Sequence, residues 1–235
     1  MQALIARGRY VAASRILHHM VSPILNILWT AIQGFVYQLK VHLLRRLAGD
    51  DQFVDRHEPT PAELASVRIY EDKLYIHKTM RINYTTYDAR RDQDSINPDN
   101  HADVMMLAPE GSEHPYLYAR VVGIYHVKAY LMDTNHTQTR PQLLHVVWVR
   151  WYDLDTSVRS GFEARRLPRL KWAHVDDGAF SFVSPDDILR GSYIIPRFRQ
   201  AGEGRSDTAL PGRSAVRRAR DGGMEDDWDH HYVNM

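Results

Sequence analysis

The sequence of 235 residues contains no cysteine. Disulfide bonds, zinc sites built on thiolates and cysteine nucleophiles are therefore excluded. The sequence also lacks a glycine-rich phosphate loop, a Gly-x-Ser-x-Gly motif and a His-Glu-x-x-His motif. Because these motifs mark nucleotide-binding sites, serine hydrolases and zinc proteases, the sequence gives no support to those three classes.

Neither sign of charge is in excess, because 30 lysines and arginines balance 29 aspartates and glutamates. No global field therefore attracts nucleic acid or acidic lipid. The charges are nevertheless distributed unevenly. Residues 1–48 include basic side chains but no acid, whereas an acidic stretch begins at Asp50. The sequence thus divides near Gly49.

Apolar residues in the first part of the chain recur at helical spacing, which predicts an amphipathic helical segment over residues 1–49. It is expected in two pieces, the second of which begins near Pro23 and ends at Gly49. Residues 20–39 carry no charge and match a bilayer in length, but polar side chains interrupt them. These polar groups would cost too much for a good membrane span, so we expect a helix that packs on protein. A membrane segment and an arginine-rich, acid-free presequence stay open as alternatives.

Composition predicts three further segments. Residues 50–66 are acidic and contain two prolines, which is typical of a linker. Residues 67–198 contain short runs of β-branched and aromatic residues and predict a β-rich module. Residues 199–235 are rich in glycine and charged residues and predict a flexible tail. The fold class expected is α+β, mainly antiparallel β.

Two runs of β-branched and aromatic residues, 116–131 and 142–152, stand at the centre of this module. They predict an antiparallel hairpin joined by a polar loop. Trp148 and Arg150 alternate with Val149, so one face of the second strand carries an arginine among apolar side chains. A tryptophan on such a strand is more often core than ligand surface, and we expect Trp148 to be buried.

Shorter patterns predict the remaining elements. The N-cap residue Ser184, followed by proline and two acids, is typical of a helix start. The elements expected are a hairpin turning at Glu71-Asp72-Lys73, strands over 80–87, 104–107 and 193–196, a basic strand over 165–173, and a short helix over 185–190.

Residues 78–98, with the block Asn83-Tyr-Thr-Thr-Tyr-Asp88, are the most specific of three stretches that match a known pattern. The other two are the central strand pair and Ser184-Pro-Asp-Asp-Ile-Leu-Arg-Gly-Ser-Tyr-Ile-Ile-Pro196. Together they resemble the C-terminal part of fungal transposon-encoded proteins of the Plavaka and Kyakuja-Dileera-Zisupton kind. The resemblance implies a non-catalytic accessory module, a fragment without the transposase core. DNA or chromatin proteins are then the partners, in the nucleus or alternatively the cytoplasm, and an inactive relic is the other alternative.

A second similarity concerns the order Tyr118-Ala-Arg-Val-x-x-Ile, Val147-x-Val-Arg-Trp-Tyr, a short helix and an Ile-Ile strand. This order is similar to that of the bromo-adjacent homology (BAH) domain, a β-barrel module of chromatin proteins. It implies a small SH3-like barrel that reads histone tails or other peptides. Tyr118, Tyr125 and Trp151 are then the candidate peptide contacts, although no run of aromatics forms an obvious methyl-lysine cage.

Basic residues give the nucleic-acid candidates. Clustered guanidinium groups contact phosphates and release counterions, so four cations within seven residues predict a DNA-contacting face. These residues are Arg165, Arg166, Arg169 and Lys171.

No catalytic residue, metal ligand or cofactor is predicted. A metal-dependent enzyme stays an alternative, and two or three acidic or histidine side chains around one cavity would favour it. The candidates for such a group are Asp88, Asp92, Asp94, His101 and Asp103. The segment 90–94 mixes both signs of charge and is expected to be a solvated loop.

Overall fold

The computed structural model describes residues 3–5, 9–12, 27–49, 58–86, 88–132, 138–161, 164–174, 178–197 and 230–234. These residues form two α-helices, α1 (Ile27–Ala48) and α2 (Pro61–Ser66), and one 3-10 helix, Pro185–Asp187. The strands are β1 (Ala3–Ile5), β2 (Arg9–Ala12), β3 (Val67–His77), β4 (Met80–Thr85), β5 (Arg91–Ile96), β6 (Asp103–Leu107), β7 (Tyr116–Leu131), β8 (Gln142–Leu154), β9 (Arg169–Trp172), β10 (Phe180–Val183), β11 (Ile188–Gly191), β12 (Tyr193–Pro196) and β13 (His230–Asn234).

The strands form two antiparallel sheets. The larger follows the order β11-β6-β7-β8-β9-β13-β12, with β10 also pairing with β8, β3 with β7, and β2 with β3. The smaller has the order β1-β4-β5. This confirms the predicted α+β class with mainly antiparallel strands. Within the described ranges neither sheet closes on itself, so an SH3-like barrel is not confirmed.

The predicted central hairpin is confirmed as β7 and β8, which pair from Tyr118↔Tyr152 to Ala129↔Gln142. A bulge in β7 lies between Val121 and Gly123. Gly123 sits beneath the ring of Tyr125, where a Cβ would collide with it. The glycine therefore lets the large aromatic fold back over its own strand.

Both faces of this hairpin are buried. On one face α1 packs Phe35 against Trp148 and Phe182, with ring centroids 5.1 and 5.0 Å apart. On the other face, side chains of the smaller sheet, such as Ile82, pack in one cluster with Val147. Alternation along β8 produces this division, because successive residues point to opposite faces.

A third cluster lies where β8, β9 and β13 meet. Tyr152 stacks on Trp172 with centroids 4.1 Å apart, and the ring of His231 meets both rings edge-on. The guanidinium groups of Arg120 and Arg150 lie 5.1 and 4.1 Å from the centre of the Trp172 ring. The face predicted to carry an arginine among apolar residues thus exists, and Arg150 is buried in it.

The helical prediction holds for one part of the N-terminal segment and fails for another. Helix α1 ends at Ala48, and Gly49 follows with a φ of +85°, as a helix-terminating glycine does. Residues 3–5 and 9–12 instead form β1 and β2, which pair with β4 and β3. Exposed strand edges outweigh a weak local helical pattern here. The predicted start near Pro23 lies outside the described residues.

The membrane interpretation of this segment concerns α1. In the part of the chain that the structure describes, no helix combines the length and apolar character that crossing a bilayer requires.

The hairpin predicted at Glu71-Asp72-Lys73 is wrong, because β3 continues through these residues against the same neighbour. Glu71 and Asp72 have φ values of 55° and 50°, and the pairing jumps from Ile69↔Ala129 to Leu74↔Val127. Four residues of β3, 70–73, therefore lie opposite one residue of β7, Lys128. The turn residues do break the regular pairing, but they produce a bulge and not a reversal.

Two other segments differ from expectation at their ends. The predicted linker contains α2, which begins with a capping box between Thr60 and Glu63. The predicted flexible tail contains β13, inserted between β9 and β12, with Val233 fully buried. Residues 50–57 and 198–229 lie outside the described ranges.

The short helix predicted over 185–190 is only partly present. Ser184 does act as the predicted N-cap, but the 3-10 helix ends at Asp187 and the chain continues as β11. Pairing of β11 with β6 explains why the helix does not extend.

Truncating Trp148 tests the double-sided core. Only 2% of Trp148 is exposed, and we expect Trp148→Ala to lower the free energy of unfolding by about 3–5 kcal/mol. Leu143→Ala on the same strand is the control, because Leu143 is 53% exposed and should change stability by less than about 0.5 kcal/mol. Urea unfolding measures both, and equal effects of the two substitutions would contradict the packing described.

Acid should destabilise the fold through His231. Burial, together with the nearby charges of Arg120, His230 and Arg150, lowers the pKa of His231 to about 3. Below its ordinary pKa of about 6.5 the unfolded chain binds a proton that the folded chain does not, so stability falls as pH drops from 6.5 towards 3. Relative to the unmodified chain, His231→Phe should therefore lose about 1–2 kcal/mol less stability between pH 7 and pH 5. Urea unfolding at the two pH values measures this difference, and an unchanged pH dependence would contradict it.

Candidate nucleic-acid interface

The four predicted DNA-contacting cations do not share one exposed face. Arg165 and Arg166 are exposed in the loop before β9, and Lys171 is exposed on β9. Arg169 is buried, and its guanidinium donates to a carboxylate oxygen of Asp155 at 2.6 Å and to Ser157 Oγ at 2.9 Å. Arg169 is therefore a structural residue, and its inclusion in the DNA-contacting face is corrected.

The carboxylate of Asp155 contacts side chains from three parts of this region, Ser157, Arg169 and His230. Burial raises the pKa of its carboxyl group, but hydrogen bonds from Ser157 and Arg169 outweigh that effect and hold the pKa below its ordinary value. Its carboxylate also lies 3.1 Å from Nε2 of His230 on β13. Lys171 lies opposite Asp153 in the pairing of β8 with β9, so an acidic neighbour reduces the positive charge of the predicted patch. Two exposed arginines, Arg165 and Arg166, are what remains of it.

The predicted peptide-binding aromatics belong to the core. Tyr118 and Tyr125 are 2% and 5% exposed, and burial raises the pKa of Tyr125 to about 12. Trp151 is half-buried, and its indole N–H donates to Ser181 Oγ at 2.8 Å. Tyr118 and Tyr125 therefore do not present ring faces to a peptide.

The acidic candidates converge in part. Asp94, His101 and Asp103 line one cleft of about 330 Å³ between the β5–β6 turn and the β11–β12 junction. Asp94 accepts a hydrogen bond from the Gly191 N–H at 2.8 Å. Asp103 accepts two from the Arg120 guanidinium, at 2.8 and 3.0 Å, and one from the Tyr152 hydroxyl. Both carboxylates thus hold neighbouring strands together.

A histidine group that the sequence did not suggest lies across β3, β7 and β8. Nε2 of His77 and Nδ1 of His126 are 2.6 Å apart, and the rings of His126 and His145 are 5.8 Å apart. Burial, together with the charges of His77 and His145, lowers the pKa of His126 to about 4. In the described ranges, no set of three or more His, Asp or Glu side chains is placed to hold a metal ion.

A distinctive polar surface in the described part of the chain is the outer face of the ribbon formed by β4 and β5, which β1 extends to three strands between Met80 and Ile82. The cross-strand pairs on this face are Arg81↔Ser95, Asn83↔Gln93 and Thr85↔Arg91. Asn83 is half-exposed and the other five side chains are exposed. None of the six is acidic, and two are arginines.

The opposite face of this ribbon carries the acids and the apolar residues. Its cross-strand pairs are Met80↔Ile96, Ile82↔Asp94 and Tyr84↔Asp92. The Arg190 guanidinium lies 4.5 Å above the Tyr84 ring, which fastens this face to β11. The pleat therefore sorts a segment of mixed charge into a cationic outer face and an acidic inner face.

Sequence reasoning missed this surface because it treated residues 90–94 as a solvated loop. In the structure β5 starts at Arg91, so Arg91 and Gln93 point outwards while Asp92 and Asp94 point inwards. Alternation of basic or neutral with acidic residues was the available signal. It indicates a strand with two chemically different faces.

The end of the ribbon beyond Ile82 has two strands in the described part of the chain. Strand β1 pairs with β4 only from Met80 to Ile82, so the described part beyond Ile82 is two-stranded. At the tip, Asp88 and Arg90 form an ion pair at 3.0 Å. The two-stranded part carries Asn83, Thr85, Arg91 and Gln93 and fits the major groove of B-form DNA, which admits two strands. Arg81 and Ser95 lie next to it, where β1 adds a third strand. Arginine, asparagine, glutamine, serine and threonine are also the side chains that contact phosphates and base edges.

Comparison of the chain with protein-family models, curated proteins and solved structures found no match in any of the three. The resemblances to transposon-encoded proteins and to the BAH domain therefore stay predictions.

Substituting two arginines from the predicted patch separates structural from surface cations. Arg169→Gln leaves Asp155 without its buried partner and should cost about 3–5 kcal/mol of unfolding free energy. Arg166→Gln, at an exposed position, should change that energy by less than about 0.5 kcal/mol. Thermal and urea unfolding of the two variants provide the comparison. A small loss in Arg169→Gln would mean that this side chain is not part of the folded core.

Proposed function

We propose that this chain is a non-catalytic accessory module that binds duplex DNA through the outer face of the β4–β5 ribbon. The observation that carries the proposal is the composition of that face. It presents two arginines, two amides and two hydroxyls, and none of its six side chains is acidic. Each of these groups forms hydrogen bonds with phosphates or with base edges.

Local charge, and not overall charge, supports binding. The whole chain has a formal net charge of +1, so attraction over long distances is weak. Arg81 and Arg91 stand about 13 Å apart along the ribbon, by the usual rise of an antiparallel strand. That separation corresponds to about four base steps along the major groove, so the two arginines reach the DNA at opposite ends of the ribbon. Arg165 and Arg166 are candidates for additional phosphate contacts.

The resemblance to transposon-encoded proteins agrees with this proposal, because proteins of mobile elements work beside DNA. Nuclear location and a role beside chromatin belong to the same proposal. The ends of the large sheet also support the barrel-like fold that the second similarity implies. Strands β11 and β12 are joined directly through Ser192, whose N–H donates to the Asp103 carbonyl at 2.8 Å. The first and last strands of the sheet order are thus consecutive in the chain.

The enzymatic alternative has one observation in its favour. Three of its five candidate residues, Asp94, His101 and Asp103, line the same cleft. An enzyme needs a base or a nucleophile directed at a substrate. Here Asp94 and Asp103 accept hydrogen bonds from neighbouring strands, and Asp103 is paired with Arg120. We therefore favour a structural role for this group, and the module is proposed as non-catalytic.

The peptide-reader alternative depends on exposed aromatics. Two of its three candidates, Tyr118 and Tyr125, are buried in separate core clusters. Recognition of a peptide by these rings would require opening of the core, so DNA binding is the better-supported proposal.

Salt dependence tests the proposal. The full chain is titrated with a short labelled duplex at several salt concentrations. The logarithm of the binding constant should fall linearly with the logarithm of the salt concentration, because phosphate contacts release counterions. Arg81→Gln with Arg91→Gln removes two contacts and should flatten that slope by about two units. The matched control is Arg68→Gln with Arg140→Gln, two exposed arginines outside the ribbon. Loss of binding in the control alone, or no binding of the unmodified chain, would refute the proposal.

A further inference from the structure

The two strands of the ribbon carry the same outward pattern. On β4 the outward residues are Arg81, Asn83 and Thr85, and on β5 they are Arg91, Gln93 and Ser95. In chain direction each strand therefore presents an arginine, then an amide, then a hydroxyl, at every second position.

Antiparallel pairing relates these two patterns by a local two-fold axis. The axis passes through the central pair, Asn83↔Gln93, whose side chains are joined by a hydrogen bond from Gln93 Nε2 to Asn83 Oδ1 at 2.7 Å. It exchanges Arg81 with Arg91 and Ser95 with Thr85, because the two outer pairs are Arg81↔Ser95 and Thr85↔Arg91. The six outward side chains are thus chemically near-symmetric, although in the described residues β1 borders only the Arg81 end of the ribbon.

The spacing of this pattern matches that of stacked base pairs. Outward residues on one antiparallel strand repeat at about 6.8 Å, twice the rise per residue. Consecutive base pairs are about 3.4 Å apart, so neighbouring cross-strand pairs lie about two base steps apart. The three cross-strand pairs therefore span about five base pairs.

We propose that the ribbon recognises a short, two-fold symmetric site of duplex DNA by reading base edges in the major groove. Asn83 and Gln93 contact central A·T pairs, and Arg81 and Arg91 each contact a guanine about two steps away on opposite sides. These assignments follow from hydrogen-bond chemistry, since amides pair with adenine and arginine with the O6 and N7 atoms of guanine. Proteins with two-fold symmetry bind palindromic sites for the same geometric reason. The inference rests on the DNA binding proposed above and names its substrate class.

Other nucleic acids fit this face less well. Single strands are held by stacking of bases on aromatic rings, and none of the six outward side chains is aromatic. The major groove of A-form RNA is too narrow for side chains to read. B-form DNA is therefore the form that the ribbon suits.

Selection of binding sites by the full chain from a pool of randomised duplexes gives the first test. Enriched sequences should be near-palindromic over about five base pairs, with A·T at the centre and guanines on opposite strands at positions related by the two-fold axis. Asn83→Ala with Gln93→Ala should reduce the preference for the enriched duplex over a scrambled one by on the order of tenfold. Binding to the scrambled duplex and its salt dependence should stay unchanged, because no cation is removed.

Controls address folding and position. Gln142→Ala with Asn234→Ala removes two exposed amides outside the ribbon and should keep the preference intact. Arg81→Ala and Arg91→Ala should each abolish selection for guanine at one of the two positions related by the two-fold axis. Replacing those guanines with 7-deazaguanine removes the N7 acceptor from the major groove and should weaken binding without changing the charge of the duplex. Thermal unfolding confirms that every variant is folded.

The outcomes separate the two proposals. No binding of any duplex would overturn both. Binding without sequence preference, an asymmetric enriched site, or a preference that survives Asn83→Ala with Gln93→Ala would overturn the base-reading inference and leave DNA binding in place. The base-reading inference would be supported if two guanines related by the two-fold axis are selected and each arginine variant loses selection for one of them.

Discussion

Burial of the β7–β8 hairpin on both faces is the constraint on which the rest of the structure depends. Trp148 faces α1 and Val147 faces the smaller sheet, and both are almost completely buried. Strands buried on two sides need a cover on each. Helix α1 is one cover and the β4–β5 ribbon is the other. The proposed DNA-binding surface is therefore the outside of a layer whose inside completes the core.

This dependence fixes which residues the ribbon exposes. Met80, Ile82 and Ile96 are at most 1% exposed and hold one face inwards. A shift of one residue in the register would bury arginines and expose these three side chains, so slippage is strongly disfavoured. The outward order of side chains follows from the hydrophobic inner face. A register fixed in this way holds the outward side chains in one arrangement, as the proposed base reading requires.

Local patterns predicted what local interactions determine. The β7–β8 hairpin, the end of α1 at Gly49 and the Ser184 cap depend on residues close in sequence, and all three are present. The strands β1, β2 and β13 depend on edges formed by distant segments, and no local pattern contains that information. The same limit applies to the candidate site. Arg169 counted as a surface cation until its partner Asp155, from another loop, was in place.

The chain has almost no net charge, and its ribbon carries basic and neutral side chains on one face and acids on the other. We expect this combination to favour sequence specificity over affinity in the proposed DNA binding. Attraction over long distances requires excess charge, which this chain lacks. The proposed contacts at the ribbon involve two arginines and four neutral side chains, so we expect a large share of the binding energy to come from hydrogen bonds that depend on base identity. A module of this kind occupies its site best when a second DNA contact raises its local concentration. This expectation agrees with the proposal that the chain is an accessory module acting beside another DNA contact.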